Sequence, residues 1–209
     1  MLQFGLLGVT CLLLVASLWR PLYPQEQFLQ HVLTVAALVA LAIAARRRWF
    51  STPAFVCMVL FLWLHIIAAR YIYSYVPYDD WLQAALGFSP TQVFGWQRNH
   101  FDRLVHVFFG ALAVLPACEV AQRFGGLGRW WAIAFAVVFV LAVGSIYEIA
   151  EWIVAVVLSP ESAEAYNGQQ GDMWDAQKDM ALAAVGALVV AAALVLRPLA
   201  SGRAHRKSS

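Results

Sequence analysis

Residues 181–196 form a continuous run of sixteen apolar residues, which no charged side chain interrupts. A helix that crosses the hydrocarbon core of a bilayer needs about 20 predominantly apolar residues, so this run is close to a complete span. Similar runs recur along the chain, and 62% of the 209 residues are hydrophobic whereas only 12% are charged. Soluble domains carry about twice that share of charged residues. We therefore expect an all-α, polytopic membrane protein.

The apolar pattern predicts a bundle of six transmembrane helices, at residues 2–19, 28–45, 53–69, 101–123, 130–158 and 174–196. Together these helices are expected to form a single transmembrane domain, residues 1–200, followed by a basic cytoplasmic tail at residues 201–209. The longest polar connection, residues 70–100, joins the third and fourth helices. Within it, residues 80–86 are expected to form a short helix that lies on the membrane surface.

The positions of lysine and arginine predict the orientation of the bundle, because cytoplasmic loops of membrane proteins are enriched in these residues. If both termini are cytoplasmic, nine basic residues lie on the cytoplasmic side and five lie on the outer side. Arg46, Arg47 and Arg48 occupy one short loop and contribute most to this difference. The sequence therefore predicts that both the N-terminus and the C-terminus face the cytoplasm.

Charge and cysteine usage exclude two other classes of protein. The formal net charge is only +2, so the chain lacks the basic surface that nucleic-acid binding requires. Its three cysteines all lie in apolar runs, and an odd number of cysteines at membrane depth argues against a disulfide framework. The expected partners are membrane lipids, and no nucleic acid is expected to bind.

Three aspartates precede the last apolar run, at Asp172, Asp175 and Asp179. If a helix already begins before Asp172, the spacing i, i+3 and i+7 places all three carboxylates on one face. A carboxylate at the edge of the membrane is costly to dehydrate, so it needs a cation, a hydrogen-bond donor or water.

Two other predicted helices carry ionisable residues inside apolar sequence. Asp102 and His106 are four residues apart in the fourth helix, and Glu148 and Glu151 are three apart in the fifth, so each pair shares a helix face. At ~1.5 Å per residue, His106 and Asp179 lie roughly 7 Å inside their helices. The two glutamates lie roughly 10–15 Å inside theirs. All of these depths are measured from the outer side, so the sequence predicts one shared site.

An oxygen-rich set of ligands with one imidazole suits a divalent cation, namely Mg²⁺, Mn²⁺, Ca²⁺ or Zn²⁺. Three of the residues, His106, Glu148 and Glu151, are also candidates for a catalytic role in proton transfer. An alternative interpretation is a polar network that only fixes helix packing, in which Arg103 and Lys178 neutralise two carboxylates. The full set of candidate metal ligands is Asp102, His106, Glu148, Glu151, Asp172, Asp175 and Asp179.

Two further polar residues within the apolar helices are expected to be structural. Glu119 lies near the inner end of the fourth helix, and its spacing predicts an ion pair with Arg123 at i+4. His65 in the third helix is expected to be a hydrogen-bonded packing residue.

Three motifs contain the acidic residues and the histidine: Asp102-Arg103-x-x-His106, Tyr147-Glu148-x-x-Glu151-Trp152 and Gln170-Gly171-Asp172-x-Trp174-Asp175-x-Gln177-x-Asp179-Met180. These motifs resemble the YjdF family of bacterial inner-membrane proteins. The resemblance extends over nearly the whole chain, and the third motif is the most specific. It implies an inner-membrane location and a multi-pass topology, but it implies no substrate.

A looser resemblance connects the chain with the VanZ-like membrane proteins. It rests on an Asp-x-x-x-His helix, a helix with a glutamate, and a helix that begins Asp-x-x-x-Asp, here Asp175 and Asp179, followed by Gly186. That family is linked to antibiotic resistance at the cell envelope. The resemblance implies, by analogy only, a role on envelope lipids or lipid-linked carriers.

Three classes of function remain open on the sequence. The first is a metal-assisted hydrolase or transferase that acts on envelope lipid-linked substrates. The second is an ion- or proton-coupled transporter, against which the sequence shows no internal repeat. The third is a non-catalytic membrane scaffold. Metal content together with envelope-lipid turnover separates the first class from the others, and flux into proteoliposomes isolates the second.

The orientation can be tested with reporter fusions. We expect a fusion after Arg48 to report a cytoplasmic location, because the Arg46–Arg48 loop carries the strongest positive charge. A fusion after Gly168 should report a periplasmic location. The reverse pair of signals would invert the bundle and place the acidic residues on the cytoplasmic side.

Overall fold

A computed structural model describes residues 1–157 and 169–197, and all regular structure within these ranges is helical. The eight helices are α1 (Leu2–Ser17), α2 (Pro24–Arg47), α3 (Thr52–Arg70), α4 (Tyr78–Leu86), α5 (Pro90–Phe94), α6 (Phe101–Arg123), α7 (Arg129–Val157) and α8 (Asp175–Leu196). Five of them, α2, α3, α6, α7 and α8, are long and apolar enough to cross a membrane. Helix α1 is also apolar, but its 16 residues are roughly 24 Å long, slightly less than the ~30 Å hydrocarbon core. The prediction of an all-α, multi-pass membrane protein is confirmed.

The start of α8 corrects the sequence interpretation of the aspartates. The helix begins at Asp175, so Asp172 lies in the turn before it and does not share a helix face with Asp175 and Asp179. Oδ1 of Asp172 accepts a hydrogen bond from the backbone N–H of Trp174 at 3.1 Å. Aspartate favours such a local turn over a helix, because its side chain competes for backbone donors.

The start of α2 also differs from the prediction. The helix begins at Pro24, four residues before the predicted start, and proline suits this first position because its missing N–H and fixed φ cost nothing there. The additional turn contains Gln27, which is buried although it is polar. The predicted end of the fifth helix at residue 158 and the tail at residues 201–209 lie outside the described residues.

Helix α6 is the central helix, because it packs against α3, α7 and α8. Its closest neighbour is α8, and two glycines make this approach possible. A Cβ atom added at Gly110 would overlap the carbonyl oxygen of Ala183, and one added at Gly186 would overlap the carbonyl oxygen of Val107. Small residues at such positions let the backbones of membrane helices approach closely, which gains dispersion contacts along the whole interface.

A second group of helices, α1 to α3, packs beside this core. Its buried residues include Leu41, Phe55 and Val59, and Nε1 of Trp63 donates a hydrogen bond to Oγ1 of Thr10 at 2.8 Å. Helix α3 packs against α1, α2 and α6, and therefore joins the two groups.

Side-chain bonds to the loop between α2 and α3 tie α6 to the second group at one end of the bundle. The carboxylate of Glu119 accepts hydrogen bonds from the backbone N–H of Ser51, at 2.8 Å, and from its hydroxyl. Nη1 of Arg123 donates to the carbonyl oxygens of Arg48 and Trp49, at 2.7 and 3.1 Å. The predicted ion pair between Glu119 and Arg123 is therefore wrong, because each residue bonds to this loop instead.

The glycine contact generates a stability prediction. We expect Gly110→Ala to destabilise the protein by about 1–3 kcal/mol, because the methyl group must push α6 and α8 apart. The control is Gly8→Ala in α1, where an added Cβ meets no atom within 4 Å, so helix propensity predicts no loss. Thermal unfolding of both purified variants in one detergent measures the difference. Equal melting temperatures would show that the interface tolerates the separation.

Candidate functional site

Four ionisable side chains from three helices meet inside the bundle: Asp102 and His106 from α6, Glu148 from α7 and Asp179 from α8. Nε2 of His106 lies 3.6 Å from Oδ1 of Asp102 and 3.6 Å from Oε1 of Glu148. Oδ1 of Asp102 and Oε1 of Glu148 are therefore no further apart than the sum of these two distances. One ligand atom each from Asp102, His106 and Asp179 lies within 4.8 Å of the others. We call these four residues the acid–histidine cluster.

The acid–histidine cluster is shielded from solvent. Asp179 is 2% exposed and His106 is 7% exposed, while the side chains of Asp102 and Glu148 are only slightly more accessible. Oε1 of Glu148 and Oδ1 of Asp179 are buried and receive no hydrogen bond from any residue in the described ranges. Burying a carboxylate oxygen without a hydrogen-bond donor lowers the stability of the fold. A group that carries positive charge or donates hydrogen bonds would therefore stabilise these two oxygens.

Helix periodicity and the glycine contact together bring these residues to one level. Asp102 and His106 share a face of α6 because they are one turn apart. His106 lies one turn before Gly110, and Asp179 lies one turn before Ala183, whose backbone contacts Gly110. Helices α6 and α8 run in the same direction from this end of the bundle, so His106 and Asp179 lie side by side.

A polar cavity of about 440 Å³ adjoins the acid–histidine cluster between α7 and α8. Glu148 and Asp179 line it, and Glu151 faces it one turn further along α7. The Glu151 carboxylate also accepts a hydrogen bond from Tyr147 on the same helix. Glu151 is therefore next to the cluster and shares its cavity, but it is outside the set of three residues whose ligand atoms lie closest together.

The two remaining aspartates belong to a separate layer of ion pairs at the end of the helices. Asp175 is 4% exposed and bonds to Arg98, whose Nη2 donates to Oδ2 at 3.2 Å, while Arg103 lies at 3.4 Å. Asp172 bonds to Arg103 and accepts a hydrogen bond from Nζ of Lys178 at 2.6 Å. Three basic residues therefore neutralise these two aspartates, whereas no lysine or arginine in the described residues forms an ion pair with the acid–histidine cluster.

Asp172 lies before α8, outside the membrane-spanning segments. The hydrogen bond from Lys178, helped by donors from Trp174 and Arg103, outweighs the cost of desolvation and lowers the pKa of Asp172 to about 2. Asp172 is therefore ionised at neutral pH and holds its basic partners as a charged pair, which is unlike a carboxylate free to bind a metal.

Arg98 is the residue of this layer that the sequence analysis missed. It precedes α6 and joins two distant segments, because its Nη1 also donates to the carbonyl oxygen of Gln169 at 3.1 Å. The neighbouring Asn99 and Gln170 exchange two hydrogen bonds, at 2.8 and 3.2 Å. The available signal was a basic residue just before α6, on the side of the membrane that was predicted to be poor in positive charge.

A second buried polar chain crosses α1 to α3. Oγ of Ser17 lies 3.0 Å from Nε2 of His31, and Nδ1 of His31 lies 3.4 Å from Oγ1 of Thr34. Thr34 is 2.9 Å from Nε2 of His65, whose Nδ1 bonds to the hydroxyl of Tyr73. Sequence analysis assigned His65 a hydrogen-bonded role but assigned none to His31.

Long apolar helices, with charged side chains at their ends and a few buried polar residues between them, define a multi-pass integral membrane protein. Residues 2–198 match the family described as "Predicted membrane protein (DUF2238)", and the chain belongs to this family. Inner membrane protein YjdF of Escherichia coli (strain K12) is 33% identical over 166 residues, which cover 77% of this chain and 74% of that protein. The resemblance to the YjdF family and the inner-membrane location are thereby confirmed. No solved structure matches the chain.

The ion-pair layer generates a prediction for Arg98. We expect Arg98→Gln to destabilise the protein by about 2–3 kcal/mol, because it removes a charged partner from the buried Asp175. Lys178→Gln is the matched control, since the Lys178 side chain is 48% exposed and such a pair contributes about 1 kcal/mol or less. Thermal unfolding in detergent measures both. A larger loss for Lys178→Gln would contradict the assignment of Asp175 as the buried partner.

Proposed function

We propose that the acid–histidine cluster binds a divalent cation and that the protein uses it as a metal-assisted hydrolase or transferase on envelope lipid-linked substrates. The observation that carries this proposal is the convergence of ligand atoms from Asp102, His106 and Asp179 to within 4.8 Å of one another. Beside them are two buried carboxylate oxygens that receive no hydrogen bond from the part of the chain that the structure describes. Carboxylates this close repel one another strongly at low dielectric, and a bound cation offsets that repulsion.

The spacing of the three nearest ligand atoms supports a single ion. Ligands at ~2.1 Å from Mg²⁺ or ~2.4 Å from Ca²⁺ are separated by at most about 4–5 Å when they lie on opposite sides of the ion. The atoms of Asp102, His106 and Asp179 fall within this limit. Two carboxylates and one imidazole suit Mg²⁺, Mn²⁺, Ca²⁺ or Zn²⁺, and the oxygen majority favours a hard cation.

The residues divide into ligands and proton carriers. Asp102, His106 and Asp179 would hold the cation, which would supply a Lewis acid for a phosphoryl oxygen. Glu148, whose Oε1 accepts no hydrogen bond from the described residues, takes a proton from the attacking water or hydroxyl group as the new P–O bond forms. Glu151 faces the same cavity and returns a proton to the leaving oxygen as the old P–O bond breaks.

The position of the site supports a lipid-linked substrate. Asp102, His106 and Asp179 lie within about five residues of the starts of their apolar helices, near the depth where a lipid head group meets the hydrocarbon core. The cavity beside it is lined by both acidic and apolar residues, among them Glu148, Ile149 and Met180. The resemblance to VanZ-like proteins favours the envelope by analogy only.

A second candidate function, an ion- or proton-coupled transporter, is favoured by one specific observation. His65 and Tyr73, at one end of the second polar chain, line a cavity that His106 also lines from the opposite wall. Such a chain of hydrogen bonds can carry protons. Proteoliposome flux that depends on both His65 and Glu148 would favour the transporter, whereas turnover without flux would favour the enzyme.

The cation site generates a thermal prediction. At a concentration ~100-fold above its Kd, a divalent cation stabilises the folded state by ~2.7 kcal/mol, which corresponds to about 5–10 °C. We expect this shift in detergent-purified protein and its reversal by chelator. Asp179→Asn should reduce it, whereas Glu119→Gln should retain it, because Glu119 bonds to Ser51 at the opposite end of the bundle.

Elemental analysis completes this test. Protein with no metal, and a melting temperature unchanged by Mg²⁺, Mn²⁺, Ca²⁺ or Zn²⁺, would contradict the cation site and leave a packing network, hence a scaffold, as the account of these residues. A Glu148→Gln, Asp179→Asn double variant provides the metal-poor reference.

A further inference from the structure

Two apolar cavities adjoin each other between the helix groups. The upper cavity, nearer the acid–histidine cluster, has a volume of about 190 Å³, and the lower cavity has a volume of about 390 Å³. Both are lined by Ala37, Phe61, Leu62 and Phe109, so these four side chains lie where the two cavities meet. We call the two adjoining cavities together the apolar groove.

The apolar groove leads away from the acid–histidine cluster. Its upper part is lined by His106 and Tyr147, and its lower part extends along α6 as far as Val120. From His106 to Val120 the helix rises roughly 21 Å, about two thirds of the hydrocarbon core. Below the two histidines and two tyrosines at its upper end, the lower part is lined by apolar side chains such as Met58 and Phe135.

The apolar groove also opens towards the membrane. Residues of α2 line one side of the groove and residues of α7 line the other. These two helices pack against different partners, α2 against α1 and α3, and α7 against α6 and α8. Leu33 of α2 and Phe139 of α7 line it and are 60% and 40% exposed. An apolar space that opens at this depth meets hydrocarbon, because water is excluded from the bilayer core.

We propose that the apolar groove holds the hydrocarbon tail of a single-chain or prenyl-type lipid phosphate, with its polar end beside His106. This inference rests on the proposed function, since it names the substrate class of the same site. The lining of the groove decides between occupants. Away from His106, the lower cavity is lined by apolar side chains, against which a hydrocarbon tail is buried at no polar cost. The other end of the groove reaches His106 of the acid–histidine cluster, so a molecule with a long tail and a charged head matches both ends.

The experiment uses the full-length protein in lipid nanodiscs and a long-chain lipid phosphate that carries a diazirine near the end of its tail. After photolysis, mass mapping should find label on groove residues of α6 such as Ala113 and Pro116. Unlabelled long-chain lipid phosphate should compete, whereas glycerol phosphate, which has the head group alone, should not.

Two neighbouring alanines of α2 provide a matched pair of variants. Ala37 lines the apolar groove, whereas Ala36 is exposed and lines neither of its cavities. We expect Ala37→Trp to reduce labelling of α6 by roughly tenfold through steric overlap, and Ala36→Trp to leave it unchanged. Ala40→Trp, at an exposed position in the lower part, should also reduce labelling, and it provides the test if Ala37→Trp does not fold.

The outcomes separate this inference from the cation site. Ala37→Trp should keep the cation-dependent thermal shift, and Asp179→Asn should lose the shift but keep the tail label. Label spread evenly over lipid-facing residues such as Leu12, or equal labelling in the Ala36 and Ala37 variants, would overturn the tail site and leave the cation site intact.

Discussion

The close contact between α6 and α8 is the interaction on which the candidate site depends. Gly110 and Gly186 allow each backbone to touch the other, so that the turns carrying His106 and Asp179 lie side by side. Without these glycines the helices would separate by about the size of a methyl group, and Asp179 would move away from Asp102 and His106. The packing of small residues between α6 and α8 therefore also determines where the carboxylates of these helices lie.

Two layers of acidic residues have different electrostatic roles because of where the basic residues lie. Arg98, Arg103 and Lys178 stand at the helix ends, where water can reach part of their surface, and they neutralise Asp172 and Asp175. A lysine or arginine one turn deeper would need to bring its charge into a low-dielectric region. The deeper acid–histidine cluster therefore forms no ion pair with a lysine or arginine of the described residues. Its negative charge is one that a cation from outside the protein would offset.

The apolar groove and the polar cavity approach the same cluster from different sides. Tyr147 and His106 face the groove, while Glu148 and Asp179 face the cavity. An amphiphile with a polar head and a long tail matches this division better than a wholly polar solute does. The second polar chain, through His31 and His65, fixes the opposite wall with satisfied hydrogen bonds and so maintains the shape of the groove.

The sequence by itself determined the class of fold, the approximate helix positions and the acidic residues, because apolar runs and helical periodicity are local properties. It also indicated that His106, Glu148 and Asp179 lie at overlapping depth. Only the tertiary structure decided which acids are free and which are paired, because Arg98 reaches Asp175 across 77 positions of the chain. The bonds of Glu119 to Ser51 were missed for the same reason, because they join residues 68 positions apart, which helical periodicity does not encode. The turn at Asp172 was missed for a local reason, because its carboxylate bonds to the backbone N–H of Trp174 and so competes with the helix.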